Sequence, residues 1–181
     1  MGEFSCTPAV TGSGCMRQSS GFTLIELIIV VVLIGVLSVV ALPKFIDFSG
    51  DASQATFRST ASAFKSGVEF IHLKWQVAGN NQAQQDFIPI ADPGVGGDLS
   101  VNANGFPADT RGTSLTLNSD NDCLDVWRAV LNTRDASVAT NDSALYEAQY
   151  NNNFTCTYSL VSNPSLTVDY DSTNGEVTIN F

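Results

Sequence analysis

The feature that most constrains this chain is an apolar run, residues 22–42, in which Glu26 is the only formal charge. At about 1.5 Å per residue, a helix of this length reaches roughly 30 Å, the thickness of the hydrocarbon core of a bilayer. The run therefore predicts a helix that can span a membrane. Glu26 does not suit an ordinary membrane anchor, because a carboxylate inside such a helix costs about 2.5–3.5 kcal/mol on insertion scales.

The border in front of the run carries a specific combination of residues: Gly21 is followed by Phe22, and Glu26 lies one turn further on. Together with the apolar string that continues to Pro43, this border resembles the class III leader of type IV pilins and pseudopilins. The resemblance implies cleavage by a prepilin peptidase between Gly21 and Phe22, N-methylation of Phe22, and use of Glu26 in filament assembly. A plain signal peptide or single-span anchor is the alternative. A secretory apolar region usually has about 7–15 residues before a small-residue cleavage site, and this run is longer and lacks such a site.

The physical chemistry of Glu26 suggests a role in assembly independently. A buried carboxylate is costly unless a cation lies beside it. Cleavage before Phe22 would create such a cation, a new α-amino group four residues away in sequence, and N-methylation would leave its charge intact. Pairing of Glu26 with this group, from its own chain or a neighbour, would relieve the cost. Pairing with a neighbour would favour the addition of subunits in register.

The sequence divides into three predicted segments. Residues 1–21 are expected to be a leader peptide, in which residues 1–15 are a wrongly assigned start, an expression scar or a functional N-terminal arm. Residues 22–43 are expected to form a hydrophobic transmembrane and assembly helix, and residues 44–181 a globular domain. Removal of the leader would also remove two of the four cysteines.

Beyond Pro43 the pattern becomes that of an amphipathic helix. Its apolar positions recur at intervals that place them on one helix face; they are Phe57, Ala61, Phe64, Val68, Ile71 and Trp75. We therefore expect one long helix over residues 22–77, ended by Gly79. The fold that the resemblance implies is the α+β type IV pilin fold. In that fold a long N-terminal α-helix has a hydrophobic protruding half and an amphipathic packed half, and a C-terminal antiparallel β-sheet follows.

Short elements are predicted after the long helix. A polar loop should contain strands at residues 99–101 and 114–117. A helix is expected at residues 122–131, with Asp120 or Asn121 as its N-cap.

The C-terminal part predicts most of the sheet, which should have about four or five strands. Residues 132–152 are polar and rich in turn formers. Alternating patterns predict antiparallel strands at residues 154–160, 166–170 and 177–181. The last two should form a hairpin in which Asn174 and Gly175 supply the positive φ angles.

Two groups of acidic residues bear on metal binding. The group at residues 120–125 has three carboxylates, but not at the spacing of an EF-hand, and helix capping accounts for two of them. The group at residues 169–174 resembles a calcium loop faintly, with Gly175 one place late, and a hairpin is favoured instead. His72 is the only histidine and is assigned no role. We therefore predict no metal site and no cofactor.

Two cysteines remain after removal of the leader, Cys123 and Cys156. The export that the resemblance implies would place them in an oxidising compartment, where an even pair is expected to form one disulfide. Closing a loop of about 33 residues is worth roughly 3–4 kcal/mol in the chain-entropy model. A catalytic or metal-binding pair is the alternative, although the only histidine lies on a distant helix. Many type IV pilins close a C-terminal loop with a disulfide, so the resemblance implies a disulfide between Cys123 and Cys156.

The function that the resemblance implies is that of a major structural subunit of a type IV pilus, used for surface adhesion or motility. Its partners would be copies of itself in a helical homopolymer, the inner membrane before assembly, the prepilin peptidase, and the pilus assembly ATPase with its platform. The chain would end in an extracellular filament on the bacterial surface. The segment Asn104-Gly105-Phe106-Pro107 resembles a turn of pilins of the mannose-sensitive haemagglutinin type.

Other classes of function are weighed against this one. No nucleophile–base set or metal cluster is visible in the sequence, which predicts no enzymatic activity, and the net charge of -10 disfavours nucleic acid as the main partner. A minor pilin or type II secretion pseudopilin stays open, as does a monomeric membrane-anchored binding domain. Glu26 argues against a tip-initiating minor subunit, since some of these lack the glutamate. Major pseudopilins tend to be shorter and to use a calcium loop where this chain has a cysteine pair.

Overall fold

The long N-terminal helix that the sequence predicts is present. Helix α1, Leu24–Ala78, has 55 residues and confirms the prediction of one helix over residues 22–77. Gly79 ends it with φ 72°, and its N–H donates to the carbonyls of Trp75 and Gln76. The computed structural model describes residues 21–90, 97–111, 115–132 and 137–181, with residues 39–49 described for their backbone alone.

The chain divides into two compact units at residue 48. In the first unit, the large apolar side chains from Leu24 to Leu37 are exposed. Within the part of the chain that is described, no helix is long and apolar enough to cross a membrane. The predicted segment 22–43 extends into residues whose side chains lie outside the described set, and residues 1–20 of the predicted leader lie outside it entirely. Both segments stay predictions.

The second unit, residues 49–181, has an α+β fold. After α1 its described elements are β1 (Gln84–Ile88), β2 (Leu99–Val101), β3 (Pro107–Asp109), α2 (Asp120–Leu131), β4 (Val138–Ala139), β5 (Tyr146–Tyr150), β6 (Thr155–Leu160), β7 (Asn163–Asp171) and β8 (Glu176–Asn180). The first three strands form an antiparallel sheet in the order β1-β2-β3. The others form a five-stranded sheet in the order β4-β5-β6-β7-β8, antiparallel except for the parallel β4–β5 pair. This is the architecture of the type IV pilin fold.

The strand predictions are confirmed near the C-terminus and incomplete elsewhere. Strands β6, β7 and β8 lie where the alternating patterns predicted them, and β2 is confirmed as well. A strand was predicted at residues 114–117. This prediction is wrong, because residues 115–117 form bends and irregular chain. Residue 114 lies outside the described residues. Strand β3 pairs with β2 instead. Strands β1, β3, β4 and β5 were not predicted.

The core of the second unit is built on the apolar face of α1, and all six residues predicted for that face are buried. Phe64 is fully buried among three other aromatic rings. These are the rings of Trp127, Tyr158 and Tyr170. Their centroids lie 4.9 to 5.7 Å from the centroid of the Phe64 ring. The second half of α1 therefore packs against both α2 and the five-stranded sheet.

Two buried tyrosine hydroxyls fasten neighbouring elements to the five-stranded sheet. The hydroxyl of Tyr158 donates to the carbonyl of Cys123 at 2.8 Å, and that of Tyr170 donates to the carbonyl of Pro107 at 2.8 Å. Burial raises the pKa of both tyrosines well above the ordinary value. The two hydrogen bonds tie α2 and β3 to β6 and β7.

The N-cap of α2 differs from the one that the sequence predicts. Ser119, rather than Asp120 or Asn121, is the N-cap, and its Oγ accepts a hydrogen bond from the N–H of Asp122 at 3.2 Å. Oδ2 of Asp122 accepts from the N–H of Asn118 at 2.8 Å. The helix starts two residues earlier than predicted, because this serine and the aspartate three residues later together satisfy two backbone donors.

The turn at residues 102–106 joins α1 to the β7–β8 loop. Gly105 has φ 80° and lies so close to the ring of Trp75 that a Cβ would overlap it. The ring of Phe106 stacks on His72 with centroids 4.2 Å apart. Two asparagine side chains of the turn donate to carbonyls of the β7–β8 loop. The turn therefore holds the end of α1 and the last hairpin together, and His72 has a packing role in it.

Gly105→Ala should destabilise the second unit by about 2–5 kcal/mol, because it combines a positive φ with overlap onto Trp75. Chemical denaturation followed by tryptophan fluorescence measures the change. Gly79→Ala is the matched control, since its φ is 72° but nothing lies within 4 Å of an added Cβ. That variant should lose only about 1–2 kcal/mol. Equal losses in the two variants would contradict the packing of the turn on Trp75.

Candidate functional site

The start of α1 places the predicted processing and assembly residues side by side. Gly21 and Phe22 precede the helix and are exposed. Thr23 caps it, because its Oγ1 accepts a hydrogen bond from the N–H of Glu26 at 3.3 Å and its carbonyl accepts from the N–H of Leu27 at 3.3 Å. The capping role of Thr23 was not anticipated, although a threonine three residues before a glutamate is a known signal for the start of a helix.

Glu26 lies near the N-terminus of α1, where a negative charge stabilises a helix. In the first turn of α1, its carboxylate interacts favourably with the partial positive charge of the helix N-terminus, by about 0.3–1 kcal/mol at exposed positions. The residue is exposed, and among the described residues no cationic side chain lies within ion-pairing distance of it. The carboxylate is therefore accessible to a cation from outside the described part of the chain.

Gly21 is not required by the local structure. Its φ is not in the left-handed range, and an added Cβ would meet no heavy atom within 4 Å. Among the described residues, neither turn geometry nor packing explains a glycine at this position. The cleavage itself falls next to residues 1–20, which lie outside the described residues.

Behind Glu26, the first unit presents a continuous apolar surface. The relative exposure of the large apolar residues from Leu24 to Leu37 ranges from 47% at Val30 to 77% at Leu24. The one polar residue at the end of this stretch, Ser38, donates its hydroxyl to the carbonyl of Ile34 at 2.7 Å. Contiguous apolar patches larger than a few hundred Å² are rare on soluble monomers and mark interaction surfaces.

The disulfide between Cys123 and Cys156 is present. It joins α2 to β6, and both half-cystines are fully buried. The carbonyl of Cys123 is the acceptor for the buried Tyr158 hydroxyl, so the covalent link and the hydrogen bond join the same two elements. With a sequence separation of 33, closure of the loop is worth roughly 3–4 kcal/mol in the chain-entropy model.

The acidic residues at the start of α2 bind protein donors. Oδ1 of Asp120 accepts from the N–H of Tyr150 at 2.7 Å, which ties α2 to β5. Burial raises the pKa of Asp122, and its hydrogen bonds at the helix cap oppose that shift. Asp125 forms an ion pair with Arg111 at 2.7 Å, and this hydrogen bond raises the pKa of the guanidinium. The three carboxylates thus serve three different partners. Within the described ranges, no three potential metal ligands lie together.

The second acidic group forms the hairpin loop that the sequence favours. Oδ1 of Asp171 accepts from the N–H of Thr173 at 2.8 Å, and Oδ1 of Asn174 accepts from the N–H of Glu176 at 2.8 Å. In this loop only Gly175 has a positive φ, 73°, so the prediction that Asn174 shares this conformation is wrong. Because Asp171 pairs with Glu176, the loop is longer than the two-residue turn that requires two such residues.

Comparison with known proteins finds one match within the first unit and longer matches to whole pilin chains. Residues 16–42 match the family described as the prokaryotic N-terminal methylation motif. The chain is 32% identical over 111 residues to the type IV narrow pilus major component of Thermus thermophilus, and the match covers 61% of this chain and 89% of that relative. It is 41% identical over 54 residues to a fimbrial protein of Pseudomonas aeruginosa, covering 30% of this chain and 35% of that relative. No solved structure matches the chain.

The similarity to the Thermus protein extends over nearly the whole of that relative. It therefore includes more than the leader and the apolar start of α1. The methylation motif, the long N-terminal helix and the antiparallel strands agree with it. The chain belongs to the type IV pilins.

Proposed function

We propose that the chain is the major structural subunit of a type IV pilus, used for surface adhesion or motility. The observation that carries the proposal is the exposed apolar surface of α1 from Leu24 to Leu37, in which Glu26 is the only charge. Copies that pack these segments together in a filament keep them out of water, where their exposure would cost about 25 cal/mol per Å² of apolar area. A contact between two different faces does not close on itself, so the addition of copies continues. The relatives named as a major pilus component and as a fimbrial protein support this function.

Processing precedes assembly in this proposal. The prepilin peptidase cuts between Gly21 and Phe22 on the cytoplasmic side, and Phe22 becomes the methylated N-terminus. Residues 22–43 hold the subunit in the inner membrane until the assembly ATPase and its platform transfer it to the extracellular filament. Glu26 then pairs with the cationic N-terminus of a neighbouring subunit. The exposure of Glu26 and the lack of any steric need for Gly21 support these roles.

The role is structural rather than catalytic, and no residue of the chain is assigned to a reaction. The mannose-sensitive haemagglutinin subtype is proposed on the turn at residues 104–107 alone. A minor pilin or pseudopilin is the alternative function. The name of the Thermus relative, a major component, favours the major subunit.

The mature protein should begin at Phe22 and carry a methyl group on its α-amino nitrogen. Mass spectrometry of the N-terminal peptide from filaments and from the membrane fraction measures both features. A mature chain that begins at Met1 or Met16 would contradict the proposed processing. An unmethylated Phe22 would contradict the methylation alone.

Glu26→Ala should abolish or severely slow polymerisation while leaving processing and folding intact. The substitution removes the partner of the cationic N-terminus in a medium of low dielectric constant, and membrane insertion should become easier by about 2.5–3.5 kcal/mol. The measurement is filament yield relative to the processed subunit in the membrane. Glu69→Ala is the matched control, an exposed acid on the same helix, and should assemble normally. Abundant filaments from Glu26→Ala would contradict the assembly role.

A further inference from the structure

Asparagine is followed directly by glycine at two positions of the chain, Asn104-Gly105 and Asn174-Gly175. In such a pair the backbone nitrogen of the glycine can attack the carboxamide carbon of the asparagine, because glycine has no Cβ to obstruct the approach. The new N–Cγ bond closes a succinimide ring, the Cγ–Nδ2 bond breaks, and ammonia leaves with the proton of the glycine N–H. Water then opens the ring at either carbonyl and leaves aspartate or isoaspartate.

The side chain of Asn104 is held away from the backbone nitrogen that would attack it. Its Nδ2 donates a hydrogen bond to the carbonyl of Thr173 at 2.8 Å, across the gap to the β7–β8 loop. Because Nδ2 is the group that leaves as ammonia, this hydrogen bond must be lost before the reaction can proceed. The bond to Thr173 therefore protects Asn104.

The side chain of Asn174 is folded back over the backbone that follows it. Its Oδ1 accepts a hydrogen bond from the N–H of Glu176, two residues further on, at 2.8 Å, which is an Asx turn. The same N–H can stabilise the negative charge that develops on Oδ1 during the attack. Among the described residues nothing accepts a hydrogen bond from Nδ2 of Asn174, and the residue is exposed. The leaving group is therefore free.

The two attacking nitrogens start from similar restraints. The N–H of Gly175 donates to the carbonyl of Asp171 at 2.8 Å, and the N–H of Gly105 donates to the carbonyl of Asn102 at 2.9 Å. Each glycine also lies so close to an aromatic ring that an added Cβ would overlap it. Gly105 is buried, whereas Gly175 is half-buried. The difference between the two pairs therefore lies mainly in how the asparagine side chains are held.

We propose that Asn174 is a site of spontaneous deamidation in the folded chain, and that Asn104 is protected by its hydrogen bond to Thr173. The inference goes beyond the proposed function and does not depend on it, because the reaction needs only this loop and water. Each conversion places a new carboxylate on an exposed loop of the chain. A population of subunits should therefore become more acidic as it ages.

The converted loop should also be less well ordered. Asp171 and Glu176 already lie opposite each other as strand partners at the base of the loop, and like charges in that arrangement are destabilising. A further carboxylate between them adds to the repulsion. Isoaspartate in addition lengthens the backbone by one carbon atom. Both products should therefore weaken the contact between this loop and the turn at residues 102–106.

Peptide mapping of the purified full chain by tandem mass spectrometry tests the site. The folded, disulfide-bonded chain is incubated at mildly alkaline pH, and aspartate and isoaspartate are measured over time at both positions. Conversion at Asn174 should be roughly three- to tenfold faster than at Asn104, the factor expected for one additional hydrogen bond. The matched control is the same chain unfolded in urea, in which the two asparagines should convert at similar rates, since glycine follows both.

One substitution checks the assignment of the faster reaction. Asn174→Gln moves the carboxamide one carbon further from the glycine nitrogen, which disfavours ring closure. The variant should lose the faster conversion, and the rate at Asn104 should not change.

The outcomes that would overturn the inference are distinct. Equal rates at the two asparagines in the folded chain would do so, as would a faster rate at Asn104. A folded chain in which neither position converts while the unfolded chain does would also contradict it. So would a faster rate at Asn174 that persists after unfolding, because the difference would then not come from the fold. None of these outcomes bears on filament formation, which tests the proposed function separately.

Discussion

One helix carries two apolar surfaces, and only one of them is buried by its own chain. In the second unit the face from Phe57 to Trp75 is buried, whereas the apolar residues from Leu24 to Leu37 are exposed. Full burial of a large apolar side chain is worth about 1.5–3 kcal/mol, so the exposed segment represents a large free energy that the isolated chain does not recover. Lipid or another copy of the chain would cover the segment, and the proposed function uses both, the membrane before assembly and the neighbouring subunits afterwards.

The second unit is organised around the buried face of the same helix. Phe64 lies among the rings of Trp127, Tyr158 and Tyr170, which come from α2, β6 and β7. The disulfide and the Tyr158 hydroxyl bond join α2 to β6 beside this cluster. Covalent, polar and apolar contacts therefore converge on the same elements, α1, α2 and the five-stranded sheet.

The sequence predicts the parts of this fold that depend on periodicity. The helix α1, the burial of its face and the strands β6 to β8 follow from regular intervals of apolar residues. The parts that depend on irregular backbone escape prediction. Strand β1 contains Asp86 at φ 50° and a register shift, and β4 has only two residues and runs parallel to β5. Neither has an alternating pattern long enough to recognise.

The candidate site shows the same division. Gly21, Phe22 and Glu26 are visible in the sequence because they stand at an abrupt border between polar and apolar residues. Thr23 was not predicted as the cap, although its position three residues before Glu26 is a sequence signal for the start of a helix.

Folding should need only residues 49–181, whereas assembly should need the apolar first half of α1 as well. The most direct measurement is sedimentation of a chain that begins at Ser49, combined with circular dichroism. We expect a folded, disulfide-bonded monomer that does not polymerise, because the buried face of α1 remains complete and its exposed apolar first half is absent. A chain that fails to fold, or one that still forms filaments, would contradict the separation of the two surfaces.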